Sequence, residues 1–353
     1  AWSSLFGTGS GQKFDRGSYE FTRSNDDLVI AYRATDTSGN SSNNILVVRA
    51  DTGTKLRAIG NQYKYNGGVV AYHQLRTFIN QPAADYYSTG YVPNVNNVVD
   101  ANRNSIFAKV VVTTPKGNQL TLKPTAGSSY LPLWKGTVAT STNFLRIRSV
   151  YVDAANSAKN PADADTTLFF ANDATIDDAY IATIPAQANW KFEYYLASDP
   201  TVIDATQYYK TRARAMTIAE LQTQPMANLA DADIADAKAS TLTSTATGGK
   251  YLPTPTAPDL ITLDWVVPAG ALAPTSIQVY GRTNNISFND KATVSSTSRT
   301  GTVSCSSASS ADLHCTADGH FVAGGINGAH LWANDAAGRE FAHFYAIYMI
   351  SIP

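Results

Sequence analysis

Cysteine, methionine and glutamate are all scarce in this chain of 353 residues, which holds two, three and four of them respectively. Charge is scarce too: charged residues make up 16% of the sequence, against roughly 25% in an average soluble protein. Twenty-seven basic side chains against 28 acidic ones leave a net charge of −1. That balance offers no pull towards a phosphate backbone, so nucleic acid is excluded as an expected partner. No run reaches the roughly 18 apolar residues that a membrane-spanning helix requires.

The acids that are present are almost all aspartate. The four glutamates are Glu20, Glu193, Glu220 and Glu340. Aspartate bonds its own backbone in turns, whereas glutamate favours helix interiors, so the composition points to strands and loops. The chain starts at Ala1, and an export signal removed before it is the expectation. Cys305 and Cys315 stand nine residues apart, which suits a small disulfide loop in an oxidising compartment and not a zinc knuckle.

Short β-branched runs dominate what is there. Leu28–Tyr32 and Ile45–Val48 flank the turn-rich segment 36–40 and predict a meander. Val110–Thr113, Pro115–Asn118 and Leu120–Leu122 read as strand, turn and strand. From Trp190 to Leu196 the residues Trp190, Phe192, Tyr194 and Leu196 alternate with Lys191, Glu193 and Tyr195, the mark of a half-buried antiparallel strand. Ile261, Leu263 and Trp265 repeat the pattern, and Ile277 with Val279 follow.

One segment is helical in character. Thr217 and Glu220 form a capping box, Pro225 interrupts it, and the run 231–236 resumes it, so a helical insertion near 217–238 is predicted. The expected architecture is mainly all-β, with tandem antiparallel β-sandwich domains. The expected divisions are an N-terminal β-rich domain over 1–92, a central sandwich over 93–239, a linker over 240–257 and a last domain over 258–353.

The segment from Pro258 through Trp265, Pro268 and Ile277–Tyr280 to the end resembles fibronectin type III and related immunoglobulin-like modules of bacterial secreted surface proteins. The resemblance implies a binding or spacer module, with a tryptophan of one strand packed under a tyrosine of the next.

Chemistry-bearing constellations are few. His314, His320, His330 and His343 crowd the C-terminal forty residues, but none are paired at a metal-ligating spacing, and surface histidines are expected. Asp173, Asp177 and Asp178 offer hard oxygens to calcium without an EF-hand pattern. Solvated turn carboxylates are the competing reading. The glycine-rich segment 7–11 follows no strand, so it is neither a dinucleotide fingerprint nor a nucleophile elbow.

Nineteen tyrosines can form a platform for sugar rings or another subunit, or simply fill sheets. The terminal run 341–352 is apolar on both faces and must be covered twice. Phe344, Tyr345, Ile347, Tyr348 and Ile350 then lie either within their own sandwich or in a neighbouring copy as an added strand.

Three functions remain. The first is an extracellular structural protein that self-assembles into a surface layer or filament. The second is an adhesin or carbohydrate-binding protein whose partner is a cell-surface glycan. The third is a secreted hydrolase whose acids are distant in sequence, although no catalytic residue can be named.

Overall fold

A computed structural model of the protein describes residues 11–23, 26–37, 39, 41–50, 55–58, 64–79, 82–140, 142–149, 169–170, 174–238, 260–283, 286–304 and 326–348. The chain is mostly β, as its composition implies. Four strands near the N-terminus, β1 (Lys13–Thr22), β2 (Leu28–Thr35), β3 (Ser41–Ala50) and β4 (Leu56–Ala58), form one antiparallel meander. Leu28 pairs with Val48 and Ala31 with Ile45, so the predicted runs do meet.

A seven-stranded sheet is the centre of the molecule. Its order is β11 (Leu145–Arg148), β6 (Tyr86–Val95), β5 (Gly67–Phe78), β20 (Glu340–Tyr348), β19 (Ile326–Asn334), β16 (Ser276–Thr283) and β17 (Ile286–Thr293). The last strand therefore lies mid-sheet. It is antiparallel to β19 and parallel to β5, with Phe341 opposite His73 and His343 opposite Leu75.

A six-stranded sheet covers one half of the inner face. It runs β10 (Val138–Ala139), β9 (Leu133–Lys135), β8 (Gln119–Leu122), β7 (Phe107–Thr113), β12 (Asn189–Leu196) and β13 (Ala205–Lys210). Val110 pairs with Leu122 across the predicted hairpin. Trp190, Phe192 and Tyr194 on β12 are completely buried and face Val69, Ala71 and Tyr91 of the central sheet in one core. Each such side chain contributes roughly 2–3 kcal/mol by leaving water.

The other half of that face is covered by three short-paired strands, β14 (Asn228–Leu229), β15 (Leu260–Val266) and β18 (Thr300–Ser304). Ile261, Leu263 and Trp265 meet Ile277, Val279, Ala329 and Tyr345 in a second core. The tail thus contributes strands to two layers. It does not close a module of its own, because its larger sheet continues through β20 into β5, β6 and β11. The backbone ladder crosses the divisions drawn at 92 and 257.

A second correction concerns Tyr280. Strand alternation sends Ile277 and Val279 towards Trp265, so Tyr280 faces the opposite side and packs on His330 and Phe344. The expected tryptophan-under-tyrosine pair does not form.

Three short helices occur among the described residues: α1 (Ala174–Ala182), α2 (Ile218–Thr223) and α3 (Asp231–Lys238). The capping box is present. Glu220 N–H donates to Thr217 Oγ1 at 3.1 Å, and Thr217 N–H donates to Glu220 Oε2 at 2.8 Å. Arg214 adds a two-pronged pair to Glu220, with N–O separations of 2.7 and 2.6 Å. This cation holds the Glu220 carboxyl down at about 2.

Candidate ligand cleft

The meander does not lie flat on the rest of the chain. Between it and the central sheet opens a cleft of about 460 Å³, within the range of small-ligand sites. Five pieces of chain build its walls. They are the end of β1 with Glu20 and Phe21, β2 with Val29 and Ala31, the start of β5, the end of β13 with Tyr209 and Lys210 running on through Arg212, and the β19–β20 turn ending at Arg339.

Aromatic packing fixes the back of this cleft. The rings of Phe21 and Tyr209 meet edge to face at 5.3 Å. Tyr209 donates its hydroxyl to the Tyr65 carbonyl at 2.9 Å, accepts the Gly67 N–H at 3.0 Å and lies 3.2 Å from the Tyr194 hydroxyl. Gly67 has no alternative here, since a Cβ would sit 2.8 Å from the Tyr194 hydroxyl. Tyr65, Tyr194 and Tyr209 are thus core tyrosines, and Tyr208, 44% exposed, is the one turned outward on β13.

One carboxylate sits in the wall. Glu20 is only 8% exposed; its Oε1 accepts the Ser18 hydroxyl at 2.8 Å and lies 3.9 Å from Arg212 Nε. At the rim, Arg339 donates to Asp335 at 2.6 Å, while Asp335 also accepts the Ala337 and Arg339 amides at 2.8 and 2.9 Å. Arg16 donates to the Ala336 carbonyl at 2.8 Å and ties β1 to this turn. Lys210 makes no ion pair among the described residues.

Beside the cleft, a strap of chain from Ala215 to Leu229 is bonded to the inner face by side chains. Tyr91 accepts the Ala215 amide at 3.1 Å, His73 Nε2 accepts the Met216 amide at 2.8 Å, and Tyr345 accepts the Leu229 amide at 3.1 Å. His343 Nδ1 donates to the Ala227 carbonyl at 2.8 Å, and its Nε2 lies 3.0 Å from the Thr77 hydroxyl. Burial pushes both imidazoles down to about 4, because the charged form loses its water.

Histidine was expected at the surface, and the described ones are not there. His73 is fully enclosed and His343 is 4% exposed. His330 is wedged against Phe344, with ring centroids 3.9 Å apart, and its Nε2 is sealed without a partner. Desolvation lowers it as well. The terminal run, apolar on both faces, was the available signal for the burial of His343. His314 and His320 lie outside the described residues.

Of the aspartates proposed for calcium, Asp177 and Asp178 lie among the described residues. Asp178 sits on α1 and accepts the amides of Ile218 and Ala219, which caps α2. Asp177 is buried at 1% exposure, and Asp173 lies outside the described residues. Among the described residues no cluster of three metal-ligating side chains occurs. Cys305 and Cys315, the 240–257 segment and Ile350 also lie outside them. Phe344 and Tyr345 are buried in β20, which Ile347 and Tyr348 complete.

No family model matches the chain, and no curated protein matches it. Among solved structures, one similar chain is a tetra-tandem repeat in the extending region of a large adhesion protein, with 12% identity, 92% of this chain covered and a TM-score of 0.18. This chain spans 56% of that one. A second is a 1.5-MDa bacterial ice-binding adhesin, described for host cell surface retention, at 9% identity, 91% and 73% coverage and a TM-score of 0.16. A third is a Ca²⁺-stabilised adhesin with which an Antarctic bacterium binds ice, at 11% identity, 96% and 72% coverage and a TM-score of 0.17. Superpositions this loose carry no argument about function. Among the described residues no helix is long and apolar enough to cross a membrane.

Proposed function

We propose that this chain is an extracellular, cell-surface binding protein of the adhesin kind, which holds a glycan in the cleft between its N-terminal meander and its central sheet. The observation that supports it is the cleft itself, which combines an apolar aromatic back wall with the buried carboxylate of Glu20 and a cationic rim. Such a mixture suits a ligand with both a ring face and hydroxyl groups.

The pairing of β20 favours this reading over self-assembly. From Glu340 to Ala346 both edges of that strand are bonded within the chain, by β19 and β5, so this stretch offers no open edge to a neighbouring copy. Hydrolysis of a glycosidic bond needs two carboxyl groups flanking the scissile bond. In the cleft wall Glu20 stands as one carboxylate beside Arg212, while Asp335 is committed to Arg339 and its own turn.

Size-exclusion chromatography combined with a glycan array tests the proposal. A monomer that retains glycans, with retention lost on Glu20→Gln, is the expected result. Ordered polymers with no glycan retention would overturn it.

A further inference from the structure

The cleft occupies a gap in the central sheet. β5 pairs with β6 from Gly67 onwards, but its ladder with β20 begins only at Tyr72, opposite Glu340. Between Gly67 and Ala71 no strand lies on that side among the described residues, and this whole stretch lines the cleft.

Alternation fixes which main-chain groups face the gap. The Asn66 carbonyl accepts the Asn96 amide, so even-numbered residues of β5 bond towards β6, while Gly67, Val69 and Ala71 turn their amides and carbonyls the other way. Val69 stands opposite Pro93, which has no amide to give. The Gly67 amide is already taken by the Tyr209 hydroxyl at 3.0 Å, and Ala71 adjoins the β20 ladder. Val69 is left between them, only 8% exposed.

An enclosed amide and carbonyl call for partners. One hydroxyl serves Gly67, and two adjacent hydroxyls of a sugar, each able to donate and accept, suit the main-chain pair of one extended residue. A peptide added as a strand would need a run of such residues, and this edge offers one.

The charged groups of the wall select the kind of sugar. Arg339 is held by Asp335 at 2.6 Å. Arg212 lies 3.9 Å from Glu20 and makes a further interaction. Lys210 follows Tyr209 on β13, so its side chain leaves on the opposite face of that strand. These cations are not set aside for an anion, whereas the enclosed carboxylate of Glu20 repels one and accepts hydroxyls.

Resting on the glycan reading above, we propose that the ligand is a neutral glycan seated on the open edge of β5. Adjacent hydroxyls of one ring bond the Val69 amide and carbonyl, a further hydroxyl donates to Glu20, and the C–H face of the ring packs on the Phe21 and Tyr209 side. Gly68 leaves room for this approach: it lines the cleft, and a Cβ there would meet nothing within 4 Å.

An array probed with the full chain tests this. It carries neutral oligosaccharides of glucose, galactose and mannose, their O-methylated forms and the corresponding uronic acid oligosaccharides. At least one neutral oligosaccharide should be retained about tenfold more tightly than its acidic counterpart, equally at low and high salt, and O-methylation should abolish retention. Gly68→Leu should weaken retention at least about tenfold while melting like the wild type; if melting curves show it unfolded, Gly68→Val takes its place.

Preferential retention of the acidic forms, weakened by salt, would overturn the neutral ligand and leave the glycan cleft standing. Retention that survives O-methylation or the folded Gly68 variant would overturn the seat on β5. If no glycan of either kind is retained, both the inference and the adhesin reading fall.

Discussion

The Met216 amide donates to His73 Nε2 at 2.8 Å, while His73 Nδ1 lies 2.9 Å from the Glu340 carbonyl. One ring nitrogen must accept and the other must carry the proton, so the imidazole is neutral and locked in the Nδ1–H form. It joins the first strand of the central sheet, the last strand and the strap in a single contact. His343 does the same further along the strap, between Thr77 and Ala227.

Acid should therefore loosen this protein in a defined window. Both imidazoles are pushed down to about 4 in the fold, against about 6.5 in the unfolded chain. Below pH 6.5 the unfolded state binds protons that the folded state refuses. Stability then falls as the pH drops towards 4, by roughly 3 kcal/mol for each histidine at most. Melting temperatures measured between pH 7.5 and 4.5 should decline steeply, and His73→Gln should flatten the decline; a flat profile in the wild-type protein would refute the assignment.

Tyr345 offers a test of the strap at neutral pH. Its hydroxyl accepts the buried Leu229 amide at 3.1 Å. Tyr345→Phe leaves that donor unsatisfied and should cost about 1–3 kcal/mol in denaturant unfolding, with hydrogen exchange at Leu229 accelerating before the rest of the sheet.

Glu220 and Arg214 hold the first turn of α2. The paired carboxyl lies at about 2 in the fold, so its contribution is complete above the unfolded value near 4.5 and is lost as the pH falls towards 2. Its side chain is 43% exposed, and water screens the pair. Glu220→Ala should cost about 1 kcal/mol at pH 7, and the difference from wild type should vanish in melts at pH 2.

Close backbone approach defines another sensitive point. Gly90 on β6 lies against Arg146 of β11, and a Cβ there would fall inside the Leu145 carbonyl. Gly90→Ala should destabilise by about 2 kcal/mol or more. Gly68→Ala on neighbouring β5 has open space around its Cβ and serves as the control, expected within about 1 kcal/mol of wild type.

Asp178 separates capping from calcium. Its oxygens accept two amides of α2. Asp178→Ala should lower the melting temperature equally in calcium and in a chelator, with a cost of about 1 kcal/mol. A loss seen only in calcium would support the metal reading instead.

Much of the β framework was legible because its signals are local. Period-two alternation put Trp190, Phe192 and Tyr194 on one face of β12, and the structure buries all three. The pair Thr217 and Glu220 announced α2, and the hairpin of Val110 and Leu122 announced its own register. Helix α1 was missed because its aspartates read as turn formers, although Asp178 is spent on a helix cap 40 residues away.

What the amino-acid order determined alone is therefore the class of the fold, the short helical insertion and the need to cover the last strand on both faces. The tertiary structure decided that β20 pairs with β5, that His73 and His343 are buried, and that Glu20, Lys210 and Arg212 line one cleft. The reason is physical. Alternation and capping depend on neighbours a few residues apart, whereas the meeting of Glu340 with Tyr72 or of Glu20 with Arg212 depends on how separate sheets stack. No short-range propensity encodes that.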